Sequence, residues 1–293
     1  MQTDISLSLK ARVALEASDF RFSHSLGQNF IFDEELLSEI ARLSGAGAGT
    51  NVLEIGPGAG LLTAELAKRG ANVLAIELDR KLEPVLKQTL VGFQNVRIVF
   101  DDALKADIDT LARAYFADAP YIVAANLPYY ISAEFILKTL SLKNPPRSLT
   151  LMLQSEAAQR VLARTGSENW CALAAITSLY CEGERVLDVP RTAFTPPPHV
   201  DSALVRLTRR VQLSVKDDDA REFTAFIKAA FAMRRKTLAN NLSSAYACPR
   251  EAAERAISAC GLDTRIRGEK LTLDQLSQVF YTLKENDEGQ NAE

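Results

Sequence analysis

The chain has 293 residues, 47% hydrophobic and 24% charged, with a formal net charge of −3, the balance of a globular protein long enough to bury a sizeable core. No apolar run approaches the roughly 20 residues of a membrane-spanning helix, and the opening MQTDISLSLK lacks the basic and apolar stretches of a secretory leader, so a cytoplasmic chain is expected. Four cysteines, at 171, 181, 248 and 260, form no CxxC pair, which points to reduced thiols and away from a disulfide framework or a zinc site.

The small net charge hides an asymmetry. Residues 206–285 carry 15 Lys/Arg against 10 Asp/Glu, the last eight residues carry −3, and residues 1–205 hold 19 basic against 24 acidic side chains. An acidic body joined to a basic C-terminal segment suits a chain that meets nucleic acid, although the overall sign alone argues the other way.

From residue 51 onward, short β-rich apolar runs alternate with helical patterns. Strands are predicted at 51–55, 72–77, 96–100, 121–125 and 148–153, with helices at 61–69, 81–89 and 133–142 between them. That alternation predicts an α/β domain with a parallel, doubly wound sheet, whose ligands sit at the C-terminal ends of the strands. Two further strands are expected within 185–210, joined by the stiff Thr195-Pro196-Pro197-Pro198 turn. Beyond residue 210 the strand signal stops. Asp217, Asp218 and Asp219 offer caps for a helix whose apolar residues recur at 223, 226, 227, 230 and 231, and helices are expected near 250–260 and 273–283. The resulting division is 1–210 for the α/β domain, 211–285 for a smaller helical domain, and 286–293 for a disordered polar tail.

The first strand runs into Gly56-Pro57-Gly58-Ala59-Gly60, a turn in which glycine lets the backbone bend sharply and approach a ligand closely. Glu77 ends the next strand, where a carboxylate can accept hydrogen bonds from both ribose hydroxyls of an adenosine group. A dinucleotide such as NAD fits these two features equally well, so a dehydrogenase stays open at this point. Two others favour S-adenosylmethionine. The turn lacks the third glycine of the G-x-G-x-x-G spacing, and Asp101-Asp102 end the third strand, where a carboxylate can reach an adenine amino group. Negative charge there tolerates a sulfonium better than a pyrophosphate.

After the fourth strand comes Asn126-Leu127-Pro128-Tyr129-Tyr130. An exocyclic adenine nitrogen is a poor nucleophile because its lone pair is delocalised into the ring. An amide oxygen from Asn126 and the Leu127 carbonyl could accept its two N–H groups and favour a pyramidal nitrogen. Pro128 stiffens the backbone that aims the carbonyl, and Tyr129 offers a stacking face for the base. The only histidines, His24 and His199, have no ligand cluster beside them in sequence, and no metal site is expected.

These segments, together with Gly27-Gln28-Asn29-Phe30, Met152-Leu153-Gln154, Phe194-Thr195-Pro196-Pro197-Pro198 and Arg234-Arg235-Lys236-Thr237-Leu238, resemble the ribosomal RNA adenine dimethyltransferase family, over about residues 22–283. The resemblance implies a Rossmann-like class I methyltransferase domain with a smaller C-terminal helical domain. It implies dimethylation, from S-adenosylmethionine, of two adjacent adenines near the 3′ end of 16S rRNA, in the small ribosomal subunit or its precursor, by a monomer with a role in subunit biogenesis. Asn29 and the Ile31 backbone would close over the cofactor, with Gly56 and Gly58 at its methionine part, Glu77 at its ribose, Asp102 at its adenine and Asn126 between cofactor and target. Tyr129 and Phe194 would sandwich the target base. Arg209, Arg210, Lys228, Arg234, Arg235 and Lys236 are the expected phosphate contacts. The chain departs from the family pattern at Tyr130, where Asn is usual, and at Cys171-Ala172-Leu173-Ala174, where Gly-Arg-Leu-Ser is frequent. A methyltransferase of large-subunit RNA that confers antibiotic resistance is the nearest alternative, and a binding-only assembly factor is the third.

Overall fold

A computed structural model describes residues 6–18, 20–23, 26–246 and 248–290. The described residues form nine strands: β1 (Phe30–Ile31), β2 (Asn51–Ile55), β3 (Asn72–Glu77), β4 (Val96–Phe100), β5 (Tyr121–Asn126), β6 (Ser148–Gln154), β7 (Cys181–Val189), β8 (Phe194–Thr195) and β9 (Ser202–Arg209). The helices are α1 (Leu7–Ala17), α2 (Glu34–Leu43), α3 (Leu61–Lys68), α4 (Glu83–Thr89), α5 (Ile108–Phe116), α6 (Ser132–Leu140), α7 (Ser155–Val161), α8 (Ala172–Tyr180), α9 (Ala220–Ala230), α10 (Leu238–Ala245), α11 (Arg250–Ala259) and α12 (Leu273–Gln290).

Seven strands make one sheet in the order β4-β3-β2-β5-β6-β9-β7. The pairs among β2 to β6 are parallel, and β9 lies antiparallel on β6 with Gln154 opposite Ser202. Consecutive residues of β2 and β3 are buried, as they must be when both faces of a parallel sheet are covered. The chain passes from β2 outward to β4, then returns to β5 on the other side of β2. The strand order therefore reverses between β2 and β5, the place where open α/β sheets leave a crevice. On one side of the sheet, α1 to α4 pack in a layer around a core that includes Leu37, Ile40, Leu66 and Val85. A separate two-stranded ribbon, β1 with β8, pairs Phe30 with Thr195 and Ile31 with Phe194, fastening the segment before α2 to the one before the triple proline.

The polypeptide divides into two compact units, one of residues up to 158 with 183–209, the other of 159–182 with 210 onward. The sequence reading, with its single boundary at 210/211, assigns 159–182 to the first domain, whereas here they pack in the second unit. Contacts remote in sequence are the reason. Trp170 donates from Nε1 to the Leu271 carbonyl at 3.3 Å, and the Tyr180 hydroxyl meets Ala220 O at 3.1 Å and Thr224 Oγ1 at 2.8 Å. Within this unit α9 buries Phe223, Phe226 and Ile227, the periodic face expected, against Phe280 of α12. Two details differ from expectation. Asp217–Asp219 form a 3₁₀ turn and Asp219 pairs with Lys284 instead of capping α9 through its side chain. Residues 286–290, read as tail, continue α12.

A Cβ at Gly268 would stand 2.3 Å from the Ala230 carbonyl oxygen at the end of α9. Gly268→Ala is therefore expected to destabilise the protein by about 1–3 kcal/mol through overpacking. Denaturant unfolding measures it, and an unchanged midpoint would contradict the close approach.

Candidate active site

The ends of β2, β3, β4 and β5 converge on one cavity of about 770 Å³, lined by Asn29, Gly56, Gly58, Glu77, Asp102, Asn126, Leu127, Pro128 and Tyr129 among others. Most of the residues singled out from the sequence thus meet in one place. The parallel sheet brings them there, because every strand ends on the same edge. No cofactor needs to be placed for the cradle to be evident. Gly58 sits at φ +57°, and a Cβ there would come within 2.9 Å of the Phe30 ring. The glycine turn is thereby packed close against Phe30 of β1, and its Gly58 amide is directed to the acidic end of β3.

Glu77 is buried, and both of its carboxylate oxygens are spoken for by backbone. Oε2 accepts from Gly58 N at 3.0 Å and Oε1 from Asp79 N at 2.8 Å. Burial pushes its pKa up, while those two N–H donors oppose the rise. A carboxylate accepts more than one bond per oxygen, so this one keeps lone pairs for hydroxyls in the cavity. Asp102, at the next strand end, lines the same space; its Oδ1 accepts from Leu104 N at 2.9 Å and its Oδ2 faces Lys105 Nζ at 3.3 Å.

Asn126 closes β5. Its Nδ2 donates to the Asn29 carbonyl oxygen at 2.9 Å, across 97 residues of sequence. Only the NH₂ end of an amide can donate to a carbonyl, so this bond sets the amide's orientation. Oδ1 is left as an acceptor with no protein donor among the described residues, and nothing among them donates to the Leu127 carbonyl. Asn29 in turn is held by its own Nδ2 to Gly27 O at 3.1 Å. Gln28 locks this loop to the β3 end, donating to Asp79 Oδ2 at 2.9 Å and accepting from Ser23 N at 2.8 Å. The sequence reading quoted Gln28 in a motif and gave it no role.

Tyr129 is half-buried with its hydroxyl 3.1 Å from Ser202 Oγ. It also lines a second cavity of about 620 Å³ walled by Phe22, Gln154, His199 and Pro196-Pro197-Pro198. Phe194 is placed otherwise: it is 3% exposed, its backbone pairs with Ile31, and it packs in the apolar core. The ring lines neither cavity. Ile31 lies in a smaller space of about 480 Å³ behind the glycine turn, with Gly56, Gly58 and Asn126. His199 is exposed, and His24 lies outside the described residues. Among the described residues no group of His, Cys, Asp or Glu is arranged to hold a metal ion.

Glu54 has no role in the sequence reading. It lines the smaller space, is 1% exposed, and its Oε2 has no hydrogen-bond partner. Burial pushes its carboxyl up to about 8; the neighbouring Thr63 hydroxyl works against this and the Glu77 charge with it. The folded protein therefore holds this proton at pH values where an unfolded glutamate has lost it. Stability from this group is fully present below about 4.5 and is lost as pH rises toward 8, with a slope near 1.4 kcal/mol per pH unit. Glu54→Gln should flatten that decline in unfolding measurements at pH 5.5, 7 and 8.5. A wild-type-to-variant difference independent of pH would show that the carboxyl is not held neutral.

The basic residues are distributed unevenly. Arg234, Arg235 and Lys236 form an exposed turn between α9 and α10, with Arg234 Nε paired to Glu269 Oε2 at 3.0 Å, and Lys228 lies exposed on α9. Arg210 is engaged within the second unit, donating to Ser178 O at 3.0 Å and Glu182 Oε1 at 2.9 Å. Arg209 is half-buried at the last position of β9.

A family model described as ribosomal RNA adenine dimethylase matches residues 19–285. The chain is 40% identical over 287 residues to the ribosomal RNA small subunit methyltransferase A of Geobacillus thermodenitrificans (strain NG80-2), covering 97% of this chain and 98% of the other. It is 39% identical over 289 residues to the protein of the same name from Bacillus licheniformis, covering 97% and 99%. Among solved structures it is similar to the 23S rRNA methyltransferase ErmE, with a TM-score of 0.65 and 28% identity over 87% of this chain and 100% of the other. A dimethyladenosine transferase from Plasmodium falciparum shares the fold at a TM-score of 0.71 and 24% identity, over 86% and 96%.

Proposed function

This chain belongs to the ribosomal RNA adenine dimethylase family, and we propose that it dimethylates N6 of two adjacent adenines near the 3′ end of small-subunit rRNA, using S-adenosylmethionine. The observation that carries this reading is the Asn126–Asn29 bond, which fixes the amide and leaves its oxygen without a protein donor among the described residues, at a residue that lines the cavity together with Glu77 and Asp102. An acceptor so held has a use if the ligand opposite it is an amino group.

S-adenosylmethionine, when bound, supplies an electrophilic methyl on a sulfonium that departs as a neutral thioether. Glu77 accepts the ribose hydroxyls, Asp102 meets the adenine amino group, and Gly56 and Gly58 admit the methionine part. Asn29 borders the same space, and Ile31 lines the smaller one that it shares with Gly56 and Gly58. At the target, Asn126 Oδ1 and the Leu127 carbonyl accept the two N–H groups of the adenine, localising the nitrogen lone pair toward the methyl. Pro128 keeps that carbonyl aimed, and the Tyr129 ring supports the base. The opposite wall is assigned to Phe194 only if its ring leaves the core; with that ring packed inside, the triple proline and His199 line the second cavity together with Tyr129. Catalysis of this kind is positioning and nitrogen activation, and asks for no metal or acid–base triad.

The exposed Arg235, Lys236 and Lys228, with Arg234, make the C-terminal helical unit the site of phosphate contact. Arg210 contributes there only by giving up Ser178 O and Glu182, and Arg209, half-buried at the end of β9, belongs to the first unit. No described helix is long and apolar enough to cross a membrane. The resemblance to ribosomal RNA methyltransferases is what supports a cytoplasmic reaction on the small subunit or its precursor, by a monomer. Labelled methyl transfer to isolated unmethylated small and large subunits tests the reading, with the label mapped by primer extension. Label on the large subunit alone would replace it with the activity named for ErmE. Charge reversal of Arg235 and Lys236 together should weaken subunit binding at least about tenfold near 0.1 M salt and lower the slope of log K against log salt by about 2. An unchanged slope would remove this turn from the interface.

A further inference from the structure

Lys138 lies on α6, the helix that begins directly after the Asn126-Leu127-Pro128-Tyr129 turn. Its Nζ donates to three backbone carbonyls, Ala103 O at 3.0 Å, Leu104 O at 2.8 Å and Ala106 O at 2.7 Å. An ammonium has three protons, and all three are used. The carbonyls belong to the turn that carries Asp102 and Ala103, both lining the cavity at the strand ends. That turn is tightly wound: Asp102 O accepts from Lys105 N at 2.9 Å and Ala106 N at 2.7 Å, while Asp102 Oδ1 accepts from Leu104 N.

Three carbonyl dipoles converging on one point repel each other unless a cation sits among them. Burial lowers the pKa of this ammonium, and the carboxylates of Asp102, Asp107, Asp101 and Glu134 around it work to keep it charged. A surface lysine normally waves in solvent; this one is spent wholly on main-chain oxygens. The turn's shape, and so the direction of the Asp102 carboxylate, depends on it.

We infer that Lys138 is a positioning residue for cofactor recognition, setting the 102–106 turn so that Asp102 reads the amino group of the cofactor's adenine. The inference rests on the assignment of Asp102 to that amino group. It also makes α6 a strut joining the adenine end of the site to the turn that activates the target nitrogen.

The test uses the full chain and two ligands, S-adenosylhomocysteine and its deaminated inosyl counterpart, titrated by calorimetry. Wild-type protein should prefer the adenosyl ligand by about tenfold or more, the value of one charge-assisted hydrogen bond. In Lys138→Met the adenosyl Kd should rise about tenfold and the inosyl Kd by less than about twofold, so the preference collapses. Turnover at saturating S-adenosylmethionine should stay within about threefold, putting the loss in KM. In the ligand-free variant, hydrogen exchange at the amides of Leu104, Lys105 and Ala106 should accelerate while those of β2 and β5 do not change. Lys138→Arg keeps the charge but its planar fork cannot serve all three carbonyls, so it should fall between, and it replaces the methionine variant if that one fails to fold. A preference lost in Asp102→Ala but kept in both Lys138 variants, with the turn still protected, overturns this inference alone. Wild-type protein that does not distinguish the two ligands overturns the assignment of Asp102 and the inference with it.

Discussion

Asn126→Ala is expected to lower kcat for methyl transfer by about 10²–10³-fold, the usual cost of removing one oriented polar group from a reacting centre, while the Kd for S-adenosylmethionine changes by about threefold or less. The amide has two ends with separate tasks. Nδ2 is tied to the Asn29 carbonyl at 2.9 Å, and Oδ1 is the end left to accept from the target. Alanine removes both, so the adenine nitrogen loses an acceptor and the loop before β1 loses its anchor. Asn126→Asp separates the tasks. It keeps an acceptor of the same shape but has no N–H for Asn29, and it sets a carboxylate against a carbonyl. If the acceptor alone mattered, aspartate would rescue most of the rate; if orientation by Asn29 matters as argued, aspartate should be nearly as slow as alanine. Single-turnover transfer to unmethylated small subunits distinguishes these results. Full activity in Asn126→Ala would sink the mechanism, whatever RNA proved to be the substrate.

The second large effect is expected at Glu77. Glu77→Ala should weaken S-adenosylmethionine and S-adenosylhomocysteine alike by about 10²-fold, since two charge-assisted hydrogen bonds to a ribose are worth about 3 kcal/mol together. The same change orphans the amides of Gly58 and Asp79, which donate to the two carboxylate oxygens at 3.0 and 2.8 Å. The glycine turn therefore loosens as the ribose acceptors vanish. Glu77→Gln is the sharper probe, because its NH₂ must face one of those two N–H donors and cannot satisfy it. It should bind almost as poorly as alanine despite its nearly identical volume. Calorimetric affinities within about threefold of wild type for both variants would move the ribose elsewhere in the cavity.

The helical unit shows how far charge composition can be carried. A basic surplus in 206–285 is legible in the residue counts, but not which cations are available. Arg210 is bound to Ser178 O and Glu182, and Arg234 to Glu269, so charge reversal at either also breaks an internal contact. For that reason Arg235 and Lys236 are the cleaner pair to test.

By itself the sequence determined the α/β layering, the glycine turn, the acidic strand ends and the Asn-Leu-Pro-Tyr turn. All are written in short stretches, and a parallel sheet delivers successive strand ends to one edge without further instruction. α2 is equally legible in sequence, with its Asp33 cap accepting from Leu36 N. Tertiary structure alone decided which end of the Asn126 amide is tied to Asn29, that Phe194 is sequestered in the core, that 159–182 pack in the second unit, and that Lys138 is spent on main-chain carbonyls. Each depends on a partner tens of residues away. Local periodicity states which way a backbone runs and which face is apolar; it says nothing of which distant carbonyl will meet a given N–H once the chain has folded.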